Sequence, residues 1–356
     1  MAPRSHLPTL VTFAYLLVMA GTPTSALAQE RMTLSDSDDW VASGQIDPGT
    51  PEGQLAQIRK LLAEGDPKRA ENFANVWLER HRGHPMEPEA YLLRGDSFRD
   101  RGDYYESLFD YEFIARSYPG SEVFVKALER ELEVATLYAG GLKRKLWGMR
   151  IVNADDEAQE LMIRVQERLP GSHLAEEAGI KLSDFYFSRK RMSLAVESYE
   201  LFIENYPRSD HISKARRRLI SAHLASFKGP EFDASGLYEA RALLHQYQVL
   251  EPSAAQRAGA DAWLVRIDES DAKKMLTTAQ WYLRRRNPVS AEITIRKLIL
   301  TYPNSVATAE ALRLMPNILP RLSPYQLDDA PDYEGLLNGP PDSDDSTSEA
   351  GPEGNP

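Results

Sequence analysis

Along residues 193–209, SLAVESYELFIENYPRS, apolar side chains return every three or four positions. Ala195, Tyr199 and Phe202 therefore share one helix face, and Pro207, with no backbone N–H to give, stops the helix. The pattern recurs along the chain. Twelve residues before Pro119, Pro170, Pro207, Pro252 and Pro303 stand Ser107, Ala158, Ala195, Ala240 and Ala291, all small. Eight residues before them stand Tyr111, Met162, Tyr199, Leu244 and Ile295, all large and apolar. A small residue lets a neighbouring helix approach while the large one fills the space beside it. An earlier proline, Pro85, has Trp77 at the large position and Phe73 at the small one, as a divergent capping unit would. Ser121, Ser172, Ser209 and Ser305 follow four of the prolines by two residues, where a serine can cap the next helix.

The periodicity predicts helix pairs at 53–64 with 68–82, 87–100 with 104–117, 122–138 with 155–168, 172–188 with 192–206, and 211–227 with 234–250. A long helix then runs from about 254 to 286 with a break near 268–271, followed by helices at 288–301 and 305–318. The repeat resembles the tetratricopeptide unit, most closely between Pro85 and Pro119, which are 34 residues apart and enclose Tyr91, Gly95, Phe98, Ser107 and Tyr111. The expected fold class is all-α: a solenoid of about six degenerate tetratricopeptide-like helix pairs over residues 51–322. One stretch, LKRKLWGMRIV at 142–152, does not fit the repeat. Its Lys143, Arg144, Lys145 and Arg150 among Leu142, Leu146, Trp147, Met149 and Ile151 suit an anionic membrane surface or a partner. The reading preferred from sequence packs Leu146 and Trp147 over the repeat edge and leaves the charges in water, since Gly148 weakens so short a helix.

Charge changes the picture at the ends. Residues 1–28 carry Arg4, an apolar run at 10–20 and Ser25-Ala26-Leu27-Ala28, the features of a secretory signal peptide cleaved after Ala28. Residues 29–50 read as a disordered acidic spacer, and residues 323–356, with nine acids and no Lys or Arg, as a disordered acidic tail. These two segments carry −4 and −9 against a formal charge of −11 for the chain, so the repeat body is nearly neutral. Nucleic-acid binding, which needs a basic field to neutralise phosphates, is not expected. The chain has no cysteine, which excludes disulfides, thiolate metal sites and a cysteine nucleophile.

Residues 271–312 narrow the resemblance. Trp281 and Tyr282, the basic run at 284–286, Ala291, then Tyr302-Pro303 with Ser305 and the small-rich 307–311 resemble the last repeat of the BamD family of outer-membrane assembly lipoproteins. In the preceding unit the tyrosine–proline signature has become Glu251-Pro252-Ser253-Ala254. The resemblance implies a non-enzymatic periplasmic scaffold, peripheral at the outer membrane, that takes part in outer-membrane protein assembly through protein or peptide binding on the repeat surface. It implies an envelope protein partner, either the assembly machinery or its barrel substrates. That family is anchored through a lipidated cysteine; this sequence has none, so its membrane association is expected to be indirect or peripheral. A second reading is an envelope scaffold associated with peptidoglycan enzymes or with cell-division and cell-wall machinery. Glycan clefts expose aromatic side chains beside carboxylates, whereas Trp77, Trp263 and Trp281 fall within expected helices and are assigned to the core.

No catalytic, cofactor or metal site emerges. His81 and His84 lack a third ligand, and no phosphate loop or nucleophile motif occurs. The candidate partner-binding residues are Arg216, Arg217 and Arg218, in a basic run begun by Lys214, together with Trp147. Arginine forks suit carboxylates of an acidic peptide. The run at 284–286 is accounted for by a helix C-terminus.

Overall fold

The computed structural model describes residues 32–34, 40–42, 47–328 and 330–338. The expected signal peptide with its cleavage at Ala28, and the tail beyond residue 338, lie outside the described residues. Among those described, the helices form six successive pairs: α1 (Pro51–Ala63) with α2 (Pro67–Arg80), α3 (Glu87–Asp100) with α4 (Tyr104–Ser117), and α5 (Phe124–Ala139) with α6 (Asp155–Arg168). They continue with α7 (His173–Ser188) and α8 (Met192–Asn205), then α9 (Ile212–Ser226) and α10 (Ser235–Leu250). A short α11 (Pro252–Arg257) leads to the last pair, α12 (Ala260–Arg284) and α13 (Pro288–Thr301). Each helix packs on its partner, and the second helix of a pair packs on the first of the next, which makes the body an all-α solenoid.

The turns inside five of the six pairs share one device, the α9–α10 connection being the exception. The second residue past the first helix is left-handed: Gly65, Gly102 and Gly141 at φ 78°, 75° and 98°, but Lys190 and Arg286 at 57° and 59°. The next N–H closes the helix end, as Asp103 does on the Phe98 carbonyl and Arg191 on that of Tyr186. Between pairs the rule differs. Tyr118, Leu169, Tyr206, Glu251 and Tyr302 sit at the helix end with φ between −127° and −140°, and the repeat proline follows. Of the four following serines, Ser172 and Ser305 cap, accepting from Ala175 N at 3.1 Å and Thr308 N at 3.0 Å. Ser121 and Ser209 do not cap; an extra turn separates them from α5 and α9.

The small and large positions are both core, from Ser107 with Tyr111 to Ala291 with Ile295. The first pair is read differently by the structure. All later repeat prolines lie two residues past their helix, but Pro85 lies five past α2. Correcting the register by three residues puts Ala70 at the small position and Ala74 at the large one, both fully buried, and Phe73 points outward. The break expected at 268–271 is instead at Gly259, φ 72°. Asp271 lies inside α12 as an acceptor for Tyr302 Oη at 2.6 Å and Tyr238 Oη at 3.2 Å, which removes the need for a break around its charge. Of the three tryptophans assigned to the core, Trp77 is buried and donates to the Pro51 carbonyl at 3.0 Å, Trp263 is partly buried, and Trp281 is largely exposed beneath Arg285.

The ends also depart from expectation. Within the 29–50 spacer, β1 (Met32–Leu34) and β2 (Trp40–Ala42) pair antiparallel, and Thr50 caps α1. The body does not end at residue 322. After α14 (Val306–Leu312) and α15 (Met315–Ile318) the chain makes a 3-10 turn at Leu319–Arg321, then α16 (Pro324–Leu327) and α17 (Tyr333–Asn338). Tyr333 is buried against the cluster of Leu298, Ala311 and Ile318, and its hydroxyl donates to the buried Glu292, which Arg296 also holds. An aromatic ring with a polar partner docks the first part of an otherwise acidic tail.

A buried carboxylate lies where pairs two and three meet. Glu131 of α5 is inaccessible to water, and Arg168 reaches it at 3.2 Å and Glu112 at 2.7 Å. Burial first, and the neighbouring Glu112 after it, outweigh Arg168 and push the Glu131 carboxyl up to about 8.

Two outcomes follow from these contacts. Tyr333→Ala should cost roughly 3 kcal/mol, as other buried aromatic truncations do, while Tyr325→Ala, at a side chain 86% exposed, should leave the melting temperature unchanged. Thermal denaturation of both variants checks this; equal melting temperatures would return Tyr333 to a disordered tail. For Glu131, the folded chain keeps a proton that the unfolded chain loses above its ordinary 4.5, so stability falls as pH rises from there to about 8. Glu131→Gln should remove that fall, raising the melting temperature relative to the parent at pH 8.5 and little at pH 4.5 or below.

Candidate functional site

The first helices of successive pairs touch along one side of the stack, α1 with α3 and α5 with α7. Between α5 and α7 they leave an open groove of about 830 Å3. Its floor is Leu132 with Leu169 and Leu174, and its walls carry Val125 and Leu137, both substantially exposed. The 3.6-residue period places these on the faces that meet the neighbouring pair, and the pairs do not close fully over them. The rim is charged but internally matched. Glu129 is met by Lys126 at 2.8 Å, Glu133 by Arg130 at 2.7 Å and Arg99 at 3.3 Å, and Glu177 by Lys181 at 3.4 Å. Exposed pairs of this kind are worth little, so a ligand can exchange them for its own charges at small cost. An apolar floor along two helices, with a polar rim, suits an amphipathic segment laid into the groove.

The sequence-derived candidates lie elsewhere. Arg216 is turned into the stack, paired with Glu251 across to the end of α10, and lines a smaller cavity of about 260 Å3 with Leu219, Leu243 and Tyr247. Lys214 is likewise tied to Asp184. Arg217 is exposed, and Arg218 lies over the Phe187 ring at 4.7 Å. Only these two of the three arginines face outward. Trp147 is not beside them: it is at the tip of a hairpin formed by β3 (Arg144–Leu146) and β4 (Met149–Val152), between α5 and α6. The expected packing of Leu146 and Trp147 over the repeat edge is overturned, for the charges dock on the body and the apolar side chains point away. The strands win over a helix because Trp147-Gly148, at φ 50° and 79°, forms a tight turn.

His81 stacks on Trp77 with centroids 4.9 Å apart, and His84 accepts from Met86 N at 3.2 Å. Among the described residues no group of three or more His, Asp or Glu side chains is placed to hold a metal ion. Sequence reasoning missed the groove, because its leucines carry the same periodic signal as core. It also missed Tyr105, Phe109 and Phe113, an exposed aromatic stripe on α4 whose four-residue spacing was legible.

Similar solved structures include the C-terminal part of a tetratricopeptide-repeat protein from Cytophaga hutchinsonii, at 12% identity over 75% of this chain and 89% of that one, with a TM-score of 0.39. A tetratricopeptide-repeat protein from Parabacteroides merdae matches at 14% identity over 75% and 99%, TM-score 0.36. PilW, a type IV pilus biogenesis factor, matches at 13% over 74% and 98%, TM-score 0.29. No curated protein matches. The family model YfiO, described as outer membrane lipoprotein, matches residues 152–332, from the end of the hairpin through α16. That span is just over half of the sequence, and the chain belongs to the YfiO family of outer membrane lipoproteins.

Proposed function

We propose that the chain is a non-enzymatic periplasmic scaffold that takes part in outer-membrane protein assembly by holding a segment of an envelope protein in the α5–α7 groove. The observation that carries this reading is the groove itself: a continuous apolar floor between first helices of adjacent pairs, rimmed by charges already matched to one another. A helix or extended strand gains burial there without stranding a charge. Family membership supports the outer membrane as the place of action. Arg217 and Arg218, exposed on the first helix of the next pair, supply a polar contact for an acidic stretch of the bound segment. The partner is the assembly machinery or one of its barrel substrates.

Exposed aromatics on α4 keep the cell-wall reading in view, since Tyr105 and Phe109 stand on the surface as glycan platforms do. The two readings separate on one measurement. Val125→Asp with Leu137→Asp puts two charges into the groove at exposed positions, so the melting temperature should hold. Capture of barrel proteins or assembly components from solubilised envelope should fall about tenfold or more, the effect expected of a hot-spot loss. Undiminished capture would exclude the groove, and recovery of cell-wall enzymes alone would favour the second reading.

A further inference from the structure

The β3–β4 hairpin is inside out. Opposite residues of an antiparallel pair share a face, and Lys145 stands opposite Arg150 while Leu146 stands opposite Met149. The first of these faces is turned to the protein. Lys145 Nζ meets Asp103 at 2.6 Å, and the Arg150 guanidinium donates to the Gly102 carbonyl at 2.8 Å and lies over the Tyr104 ring. Gly102 has φ 75°, which favours glycine, and a Cβ there would come within 3.1 Å of the guanidinium and push it aside. Arg144 adds a pair with Glu157 at 2.7 Å. The other face, with Leu146, Met149 and Ile151, is turned to solvent, and Trp147 at the tip is 86% exposed. A hairpin that only closed a loop would be arranged the other way round, with its apolar side chains on the body and its cations in water.

Two further features identify what covers the apolar face. The first is size. Four side chains on a projecting tip fall well short of the roughly 800 Å2 per partner that a stable protein interface buries. A Cβ on Gly148 would meet nothing within 4 Å, so the tip stands clear of the body and frames no cleft. A fluid apolar phase needs no shape complement. The second is charge. Lys143 is exposed, Arg150 is bonded only to backbone carbonyls, and neither has a carboxylate within ion-pair distance among the described residues. Arg150 keeps its guanidinium on the body, and Lys143 is left as an uncompensated cation at the foot of the finger. Tryptophan prefers the boundary between hydrocarbon and water, and a lysine beside it meets anionic headgroups.

We propose that this hairpin is a peripheral membrane finger: Trp147, Leu146, Met149 and Ile151 enter the interfacial layer of an anionic lipid surface, with Lys143 at its phosphates. The cationic inner face holds the finger in a fixed direction on the second and third helix pairs.

The experiment is co-sedimentation of the purified chain with vesicles of phosphatidylglycerol and phosphatidylethanolamine, and with vesicles of phosphatidylcholine alone. The parent should bind the anionic vesicles more tightly. Trp147→Gly should weaken that binding by about tenfold. The same variant should melt no lower than the parent, because glycine adopts φ 50° without the strain a tryptophan carries. Lys143→Ser should narrow the difference between the two vesicle types. Failure of the parent to bind anionic vesicles, or equal binding by a folded Trp147→Gly chain, would overturn the finger; equal binding of the parent to both vesicle types would overturn the role of Lys143.

Discussion

A carboxylate on the first helix of a pair, shared between its own second helix and the next pair, is the contact on which the stack depends. Asp96 of α3 accepts from Tyr111 Oη of α4 at 2.8 Å and from Arg130 Nε of α5 at 3.0 Å. Asp184 of α7 repeats the arrangement with Tyr199 of α8 at 2.6 Å and Lys214 of α9. The tyrosine is the large residue of the repeat, so one side chain fills the gap between paired helices and presents the donor that satisfies a half-buried acid. Burial and the adjacent aspartate push both tyrosine hydroxyls up, which keeps them protonated as donors. The last pair varies the theme. Asp271 accepts from Tyr302 and Tyr238, and Arg241 closes the set on Tyr302 Oη at 2.9 Å. In a quasi-one-dimensional stack such interface bonds fix the rotation from one pair to the next.

This explains which parts of the fold were readable from the chain. Helix bounds within the pairs were legible because the small and large positions report only on a helix and its immediate partner. Residues 104–117, 155–168 and 288–301 are helical with the ends expected of them. What failed needed a contact across pairs. Asp268 and Asp271 look like a helix break until their acceptor roles toward Arg241 and Tyr302 are known. Tyr333 looks like part of a solvated tail until Glu292, forty-one residues earlier, is found to receive its hydroxyl. Pro85 misled the first unit because the proline marks the helix end only at a fixed distance from it.

The candidate site was legible in composition and not in direction. The sequence shows that 142–152 mixes cations with large apolar residues, but charge and hydropathy alone favour cations outward. Asp103 and the Gly102 carbonyl, from the turn between α3 and α4, and Glu157 of α6 reverse that preference. The arginine run at 216–218 has the opposite fate in part. Arg216 is consumed by Glu251, the residue that stands where three of the repeats have a tyrosine before the proline, so this departure from the signature accounts for the one arginine turned inward.

Groove and finger are joined through one helix. Leu137 forms the wall of the groove in the last turn of α5, and its carbonyl accepts from Leu142 N at 3.1 Å, closing that helix directly before the hairpin. Gly141 supplies the left-handed turn between them. The chain thus leaves the groove and enters the finger within six residues, and the hairpin cannot swing independently because Lys145 and Arg150 fasten it to the turn of the second pair. A surface that seats the finger therefore fixes the direction of the groove as well. On the proposed function, holding the groove at a set angle to the lipid would limit the orientations a bound segment must sample, and so lower the entropy cost of holding it there.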